Sequence, residues 1–151
     1  MFARLFSTRS RDPADASLEF LCITLGNSRL AINVFKNPDL ELFYVLDGSV
    51  ESFQSKEGTS RWTTAGAGAV VAIAGNVKHA WRNTSSLPAT MVVVTTSRLY
   101  EFFVAVSKPL EPKRRPAPPT PEEMRAFFGT VASYGYWMAS PEENAAIGIS
   151  F

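Results

Sequence analysis

The chain has one histidine, His79, and that residue bounds the chemistry open to it. An imidazole with a carboxylate can pass a proton near neutral pH, or offer two ligands to divalent Fe, Mn, Ni or Zn. Glu41 and His79 each lie in an apolar strand-like run. Strand alternation puts Phe43 and Val45 on the face of Glu41, and Trp81 and Asn83 on the face of His79. With one histidine the chain cannot assemble a three-histidine metal site within one subunit. Other groups carry less. Cys22 sits in an apolar run with no histidine near it in sequence and reads as a small buried hydrophobe. Gly66-Ala67-Gly68 precedes a strand rather than a helix, so it reads as a turn and not a phosphate loop. No serine or threonine lies in a nucleophile-elbow pattern.

The elements that must position Glu41 and His79 are short strands. Between residues 18 and 96, runs rich in Val, Ile, Phe and Tyr alternate with turn residues, the spacing of an all-β sandwich or barrel. The predicted strands are Leu18–Thr24, Arg29–Phe35, Leu40–Leu46, Val50–Gln54, Ser60–Thr64, Ala69–Ala74, His79–Asn83 and Ala89–Thr96. Asp47-Gly48 and Lys56-Glu57-Gly58 are expected to turn hairpins, and Gly75-Asn76 marks a further bend. Leu42 to Leu46 and Met91 to Val94 are apolar on both faces, so their outer face needs a cover from the C-terminal helices or a second subunit.

After Thr96 the period becomes helical. Leu99, Phe102, Phe103 and Val106 form one stripe, with Ser97 available as a cap. Residues 108–119 hold five of the ten prolines with Lys113, Arg114 and Arg115, a solvated linker rather than a nucleic-acid patch. Thr120-Pro121-Glu122-Glu123 and Ser140-Pro141-Glu142-Glu143 are two capping-box helix starts. The expected organisation is an N-terminal arm over 1–17, a barrel with its closing helix over 18–107, the linker over 108–119, and helices over 120–151.

Composition narrows the function classes. The 151 residues suit one domain, and a net charge of +1 provides no overall field toward nucleic acid or anionic lipid. One cysteine cannot form an internal disulfide, and no 18-residue apolar run is present to span a membrane. A cytoplasmic protein without nucleic-acid or membrane partners is expected, assembling as a homodimer through its two-faced apolar strands.

Gly68 to Asn83 resembles the second cupin motif, G-x5-P-x-G-x2-H-x3-N, with Gly68, His79 and Asn83 in register and Ala74 and Asn76 in the proline and glycine places. Glu41 to Gly48 resembles the second half of the first motif, with Glu41 and Gly48 matching. The resemblance covers roughly residues 18 to 107, and it implies an antiparallel cupin β-barrel, or jelly roll, with C-terminal helices. It also implies that Glu41 and His79 point into a central pocket lined by Phe43, Val45, Trp81 and Asn83. In the family, two histidines precede the glutamate; the corresponding places here fall on Asn37 or Lys36 and on Phe35 or Val34.

Single-domain cupins of this kind resemble quercetin-dioxygenase-like proteins, in which a metal joins oxygen to an aromatic substrate. The residues present point first to a protein that binds a small aromatic or apolar molecule, with either no cofactor or a weakly held divalent ion on Glu41 and His79. Asn37 or Asp39 is available to assist. The alternatives are a metal-dependent dioxygenase-like oxidoreductase, or a metal-free isomerase or cyclase with Glu41 and His79 as acid and base.

Overall fold

A computed structural model describes residues 3–4, 18–26, 31–107 and 120–149. Most of the expected arm, the residues expected to open the second strand at Arg29, and the 108–119 linker lie outside the described residues.

The strands are β1 (Ala3–Arg4), β2 (Leu18–Leu25), β3 (Ala31–Lys36), β4 (Glu41–Asp47), β5 (Ser49–Lys56), β6 (Thr59–Gly66), β7 (Val70–Ile73), β8 (Lys78–Arg82), β9 (Ala89–Thr96) and β10 (Trp137–Met138). The helices are α1 (Ser97–Val106), α2 (Pro121–Ser133) and α3 (Pro141–Ala145). Two five-stranded antiparallel sheets form, ordered β1-β2-β9-β4-β7 and β10-β3-β8-β5-β6. The predicted β architecture with helices after residue 96 is what is observed, and each predicted strand is present with its ends moved by a few residues. The two-residue strands β1 and β10 carry no periodic signal; β1 extends the sheet beyond β2, and β10 extends the other beyond β3.

Two expectations are corrected. Asp47-Gly48 does not turn a hairpin, because β4 pairs with β7 and β9 while β5 pairs with β6 and β8. The pair carries the chain from one sheet to the other, with Gly48 at φ +78 and packed so tightly that a Cβ there would lie 2.6 Å from the Pro88 carbonyl oxygen. Lys56-Glu57-Gly58 does turn the β5–β6 hairpin, and Glu57 and Gly58 both take the positive φ of a type I′ turn. The cap of α1 is Thr96 and not Ser97: the Thr96 Oγ1 accepts from the Leu99 N–H while Ser97 is the first helical residue. Both capping boxes form as expected, at Thr120 with Glu123 and at Ser140 with Glu143.

Alternation sorts the side chains into three clusters. Leu21, Ile23, Phe43, Val45, Trp81, Met91 and Val93 fill the space between the sheets. On the outer face of the second sheet, Val34, Phe53 and Ala80 are covered by Ala139 and Ile149 of the C-terminal segment. Phe35, Leu99, Phe102, Val131 and Tyr136 join α1 and α2 to the strands. The C-terminal elements therefore cover the sheet that contains β3, β8 and β5. The outer face of the β2-β9-β4-β7 sheet, where the two-faced apolar strands lie, is left with Leu18, Phe20, Tyr44, Leu46 and Val70 exposed.

Candidate functional site

Glu41 and His79 arrive from opposite sheets. Glu41 opens β4 and His79 is the second residue of β8, and the His79 Nε2 lies 3.2 Å from the Glu41 Oε1, with both side chains buried. Trp81, two residues along β8, is on the same face and packs its ring on Phe43, the corresponding residue of β4, at a centroid distance of 4.4 Å. Val45 continues the Glu41 face into the core and is fully buried. The turn that aims His79 depends on a close approach: a Cβ on Gly75 would lie 2.2 Å from the Pro38 carbonyl oxygen, and the Asn76 N–H donates to the Asn37 carbonyl at 2.6 Å. Gly75→Ala is expected to force these two turns apart at a cost of roughly 1–3 kcal/mol, read as a lowered urea midpoint.

The tautomer of His79 follows from its partners. The Nδ1 lies 3.0 Å from the Val77 carbonyl oxygen, which only accepts, so Nδ1 carries a hydrogen. The His79 Nε2 then faces the Glu41 Oε1 at 3.2 Å. Burial pulls the His79 pKa down, but the hydrogen bond and charge of Glu41 and the Val77 carbonyl together raise it above 6.5.

The same Glu41 oxygen accepts from the Asn37 Nδ2 at 2.7 Å, and the Asn37 Oδ1 accepts from the Asp39 N–H at 2.8 Å. Asp39 in turn accepts from the Thr96 hydroxyl at 2.6 Å and from the Tyr136 hydroxyl at 2.8 Å. Burial first, then Asp39, raises the Tyr136 pKa, so its phenol keeps the proton it donates. Asn37, weighed in the sequence as assisting an ion on Glu41 and His79, here turns its amide N–H to Glu41. Asp39 does not reach the pair; it holds the turn that carries Asn37.

Asn83 lies elsewhere. Its Nδ2 lies 2.7 Å from the Leu87 carbonyl oxygen, with the Leu25 and Gly26 carbonyls at 3.3 and 3.2 Å, and its Oδ1 accepts from the N–H and hydroxyl of Ser85. These bonds clamp the loops at the Leu25 end of the sandwich, while Glu41 belongs to the Leu18 end of the same sheet.

Sequence reading missed two residues. Glu19 of β2 and Glu41 both pair with Thr95 of β9, which sets two carboxylates on one inner row with a threonine between them. Ser52 of β5 pairs with Trp81. The Glu19 Oε2, Ser52 Oγ and Trp81 Nε1 are buried and have no hydrogen-bond partner. Alternation around Glu19 and Ser52 was readable, but only the register reveals their neighbours.

A divalent ion is tested against this donor set. The Glu41 and His79 donors stand close enough together to be neighbouring ligands on one ion, but among the described residues no group of three or more His, Cys, Asp or Glu is placed to hold a metal. Asn37 is hydrogen-bonded to Glu41, and Phe35 sets its ring edge-on to His79 at 6.1 Å. Two donors fall short of the three or four that hold a transition ion tightly. The residues present do not fit a tightly held metal.

Residues 29–95 match the family model for the cupin domain. Among solved structures, TT1209 from Thermus thermophilus superposes with a TM-score of 0.51 at 18% identity, over 63% of this chain and 83% of that one. A conserved protein with a double-stranded β-helix domain from Klebsiella pneumoniae gives 0.50 at 14% identity, over 63% and 76%. The cupin domain of an XRE family transcriptional regulator from Enterobacter cloacae gives 0.47 at 21% identity, over 63% and 96%. No curated protein sequence matches the chain. The match to the cupin domain is confined to residues 29–95, and the first two superpositions show a shared jelly-roll fold. Among the described residues, no helix is long and apolar enough to cross a membrane.

Proposed function

We propose that this cupin domain binds a small, flat aromatic or apolar molecule between its sheets, accepting hydrogen bonds from Trp81 and Ser52 and donating one to Glu19. The observation that carries the reading is the set of three buried polar atoms without partners: the Trp81 Nε1, the Ser52 Oγ and the Glu19 Oε2. A buried polar group left unpaired costs about 1–3 kcal/mol, and a ligand that pairs it recovers that cost on binding. Trp81 and Phe43 supply an aromatic surface, and Ser52 is paired with Trp81 across β5 and β8. Phe43, Val45, Trp81, Glu41 and His79 are the lining residues on this reading, and any divalent ion on Glu41 and His79 is weakly held.

A second reading, a metal-free isomerase or cyclase, is favoured by the buried Glu41–His79 pair, whose Nε2 and Oε1 lie 3.2 Å apart. Such a pair can deliver and remove a proton within one apolar site. The dioxygenase-like alternative needs a redox metal, and the donor set argues against it.

Titration with 2-naphthol and with naphthalene, followed by quenching of tryptophan emission, tests the binding reading. Quenching by 2-naphthol at lower concentration than by naphthalene is expected, because only the naphthol has a hydroxyl to pair with. Ser52→Ala should leave thermal stability equal or raise it by about 1 kcal/mol, since it removes an unpaired hydroxyl, while reducing the preference for naphthol. The reading fails if neither compound quenches up to its solubility limit, or if Ser52→Ala leaves the preference intact.

A further inference from the structure

Glu19 and Glu41 are each 1% exposed, yet their surroundings differ in charge. Glu41 faces His79 at 3.2 Å and accepts from the Asn37 Nδ2. Glu19 stands in none of the ion pairs among the described residues, and its Oε2 has no hydrogen-bond partner. Thr95, its neighbour on β9, does not serve it: the Thr95 Oγ1 donates its hydrogen to the Leu40 carbonyl at 2.9 Å, and a carboxylate only accepts. The cations of β8 are turned away as well. Arg82 pairs with Glu51 over the Trp62 ring, and Lys78 pairs with Glu143 over the Trp137 ring, on the outer face of their sheet.

Register sets this carboxylate one pleat from the aromatic pair. Glu19, Thr95 and Glu41 form one inner row, and Leu21, Val93 and Phe43 form the next. Phe43 packs on Trp81, whose cross-strand neighbour is Ser52. The Trp81 Nε1 and Ser52 Oγ, both buried and without partners, therefore stand about 7 Å along the strands from the Glu19 row. One row holds an unanswered acceptor, and the next holds two unanswered donors. Helix α1 begins two residues after Thr95, and its Tyr100 and Phe103 pack on the same core, so aromatic side chains lie toward the Glu19 end. Aromatic ring faces attract cations.

We infer that the molecule bound between the sheets is an aromatic amine, whose protonated nitrogen donates to Glu19 and whose far end carries an oxygen or nitrogen acceptor for Trp81 and Ser52. The inference rests on the binding reading above and adds the charge of the ligand. A neutral hydroxyl would answer the Glu19 Oε2 but leave a buried negative charge uncompensated, whereas an ammonium answers both. An anionic ligand would meet Glu19 and Glu41 on one row and be repelled by them. A bare metal ion does not fit either. Among the described residues no group of three or more His, Cys, Asp or Glu is placed to hold one, and an ion would leave the Trp81 N–H, which only donates, without an acceptor.

Calorimetric titration of the full chain at neutral pH with 2-naphthylmethylamine, 2-naphthylmethanol and 2-naphthylacetate tests the charge, since the three share one ring and differ as cation, neutral molecule and anion. The amine is expected to bind roughly tenfold or more tightly than the alcohol, the gain of a charge-assisted hydrogen bond over a neutral one, and the acetate more weakly than either. Glu19→Gln keeps the side-chain volume and removes the charge, so amine and alcohol should then bind equally, and the unliganded variant should melt no lower than the parent. Equal binding of amine and alcohol by the parent overturns the inference and leaves the binding reading standing, because a neutral molecule still enters. An amine preference that survives Glu19→Gln also overturns it, since the attraction then comes from another carboxylate. Binding of none of the three removes the binding reading and this inference together. If Glu19→Gln does not fold, the order in the parent decides: alcohol or acetate binding as tightly as the amine rejects the cation.

Discussion

Glu41→Gln is expected to move His79 from a pKa above 6.5 to one below it, with a loss of roughly 3 kcal/mol in stability. In the parent, burial is the largest influence on His79 and acts to lower its pKa; the hydrogen bond and charge of Glu41, with the Val77 carbonyl, outweigh it. Glutamine keeps the volume and a polar end but removes the charge, so burial then dominates. The single histidine makes the measurement unambiguous, since an imidazole resonance followed against pH by NMR belongs to His79 alone. The sign of the linked stability reverses as well. A folded-state pKa raised above the unfolded 6.5 contributes stability that is fully present below pH 6.5 and is lost as pH rises through the folded value. With the pKa lowered, the neutral imidazole is preferred in the fold, and stability falls as pH drops through 6.5 toward the new value. Denaturation from pH 6 to 8 should therefore show parent and variant changing in opposite directions from this group. An unchanged or higher His79 pKa in Glu41→Gln would mean that the pair is not electrostatically coupled, and the acid–base reading would go with it.

The legible part of the fold was its local part. Alternating apolar residues place each main strand, because a half-buried strand must alternate and a turn must interrupt it. Thr120 and Ser140 announce their helices, because a capping box is closed within four residues. Sheet membership is not local. Asp47-Gly48 has the residues of a hairpin turn, yet β4 finds partners in β7 and β9, far along the chain, and the turn becomes a crossing between sheets. For the same reason β1 and β10, two residues each, exist only through their partners.

At the site, Glu41 and His79 were legible through two half-motifs, and Phe43 and Trp81 followed by alternation. Asn83 shares that alternation but is drawn by three backbone carbonyls into a loop clamp, which period alone cannot foresee. Glu19 has no motif around it. Its place in the row with Thr95 and Glu41 depends on β9 lying between β2 and β4. The hydrogen bond of Tyr136 to Asp39 spans 97 residues and brings the C-terminal segment to the entry of β4, so neither residue carried a sign of it in sequence.

That bond leads to the other large expected effect. Asp39→Ala should destabilise the chain by roughly 3 kcal/mol, because it removes two hydrogen bonds to an ionised acceptor, each worth ~1.5–3 kcal/mol, partly offset by water at this half-buried position. Tyr136 loses its acceptor, and with burial and Glu41 still raising its pKa while Arg98 lowers it, its phenol should ionise closer to its ordinary value of 10.0 in a spectroscopic titration. The loosening should be directional. The Tyr136 N–H donates to the Val131 carbonyl and the Ala139 N–H to the Val34 carbonyl, so amide exchange should quicken at residues 136–139 before it does in β9 or β2. Thr96 keeps its capping bond to the Leu99 N–H, so α1 should stay protected. The turn over residues 37–40 should loosen too, leaving Asn37 less firmly held against Glu41 and broadening the His79 resonance. Uniform loss of protection across both sheets would show that Asp39 supports the fold at large rather than this turn. An unchanged melting temperature with unchanged exchange at 136–139 would show that the Tyr136–Asp39 bond holds nothing in place.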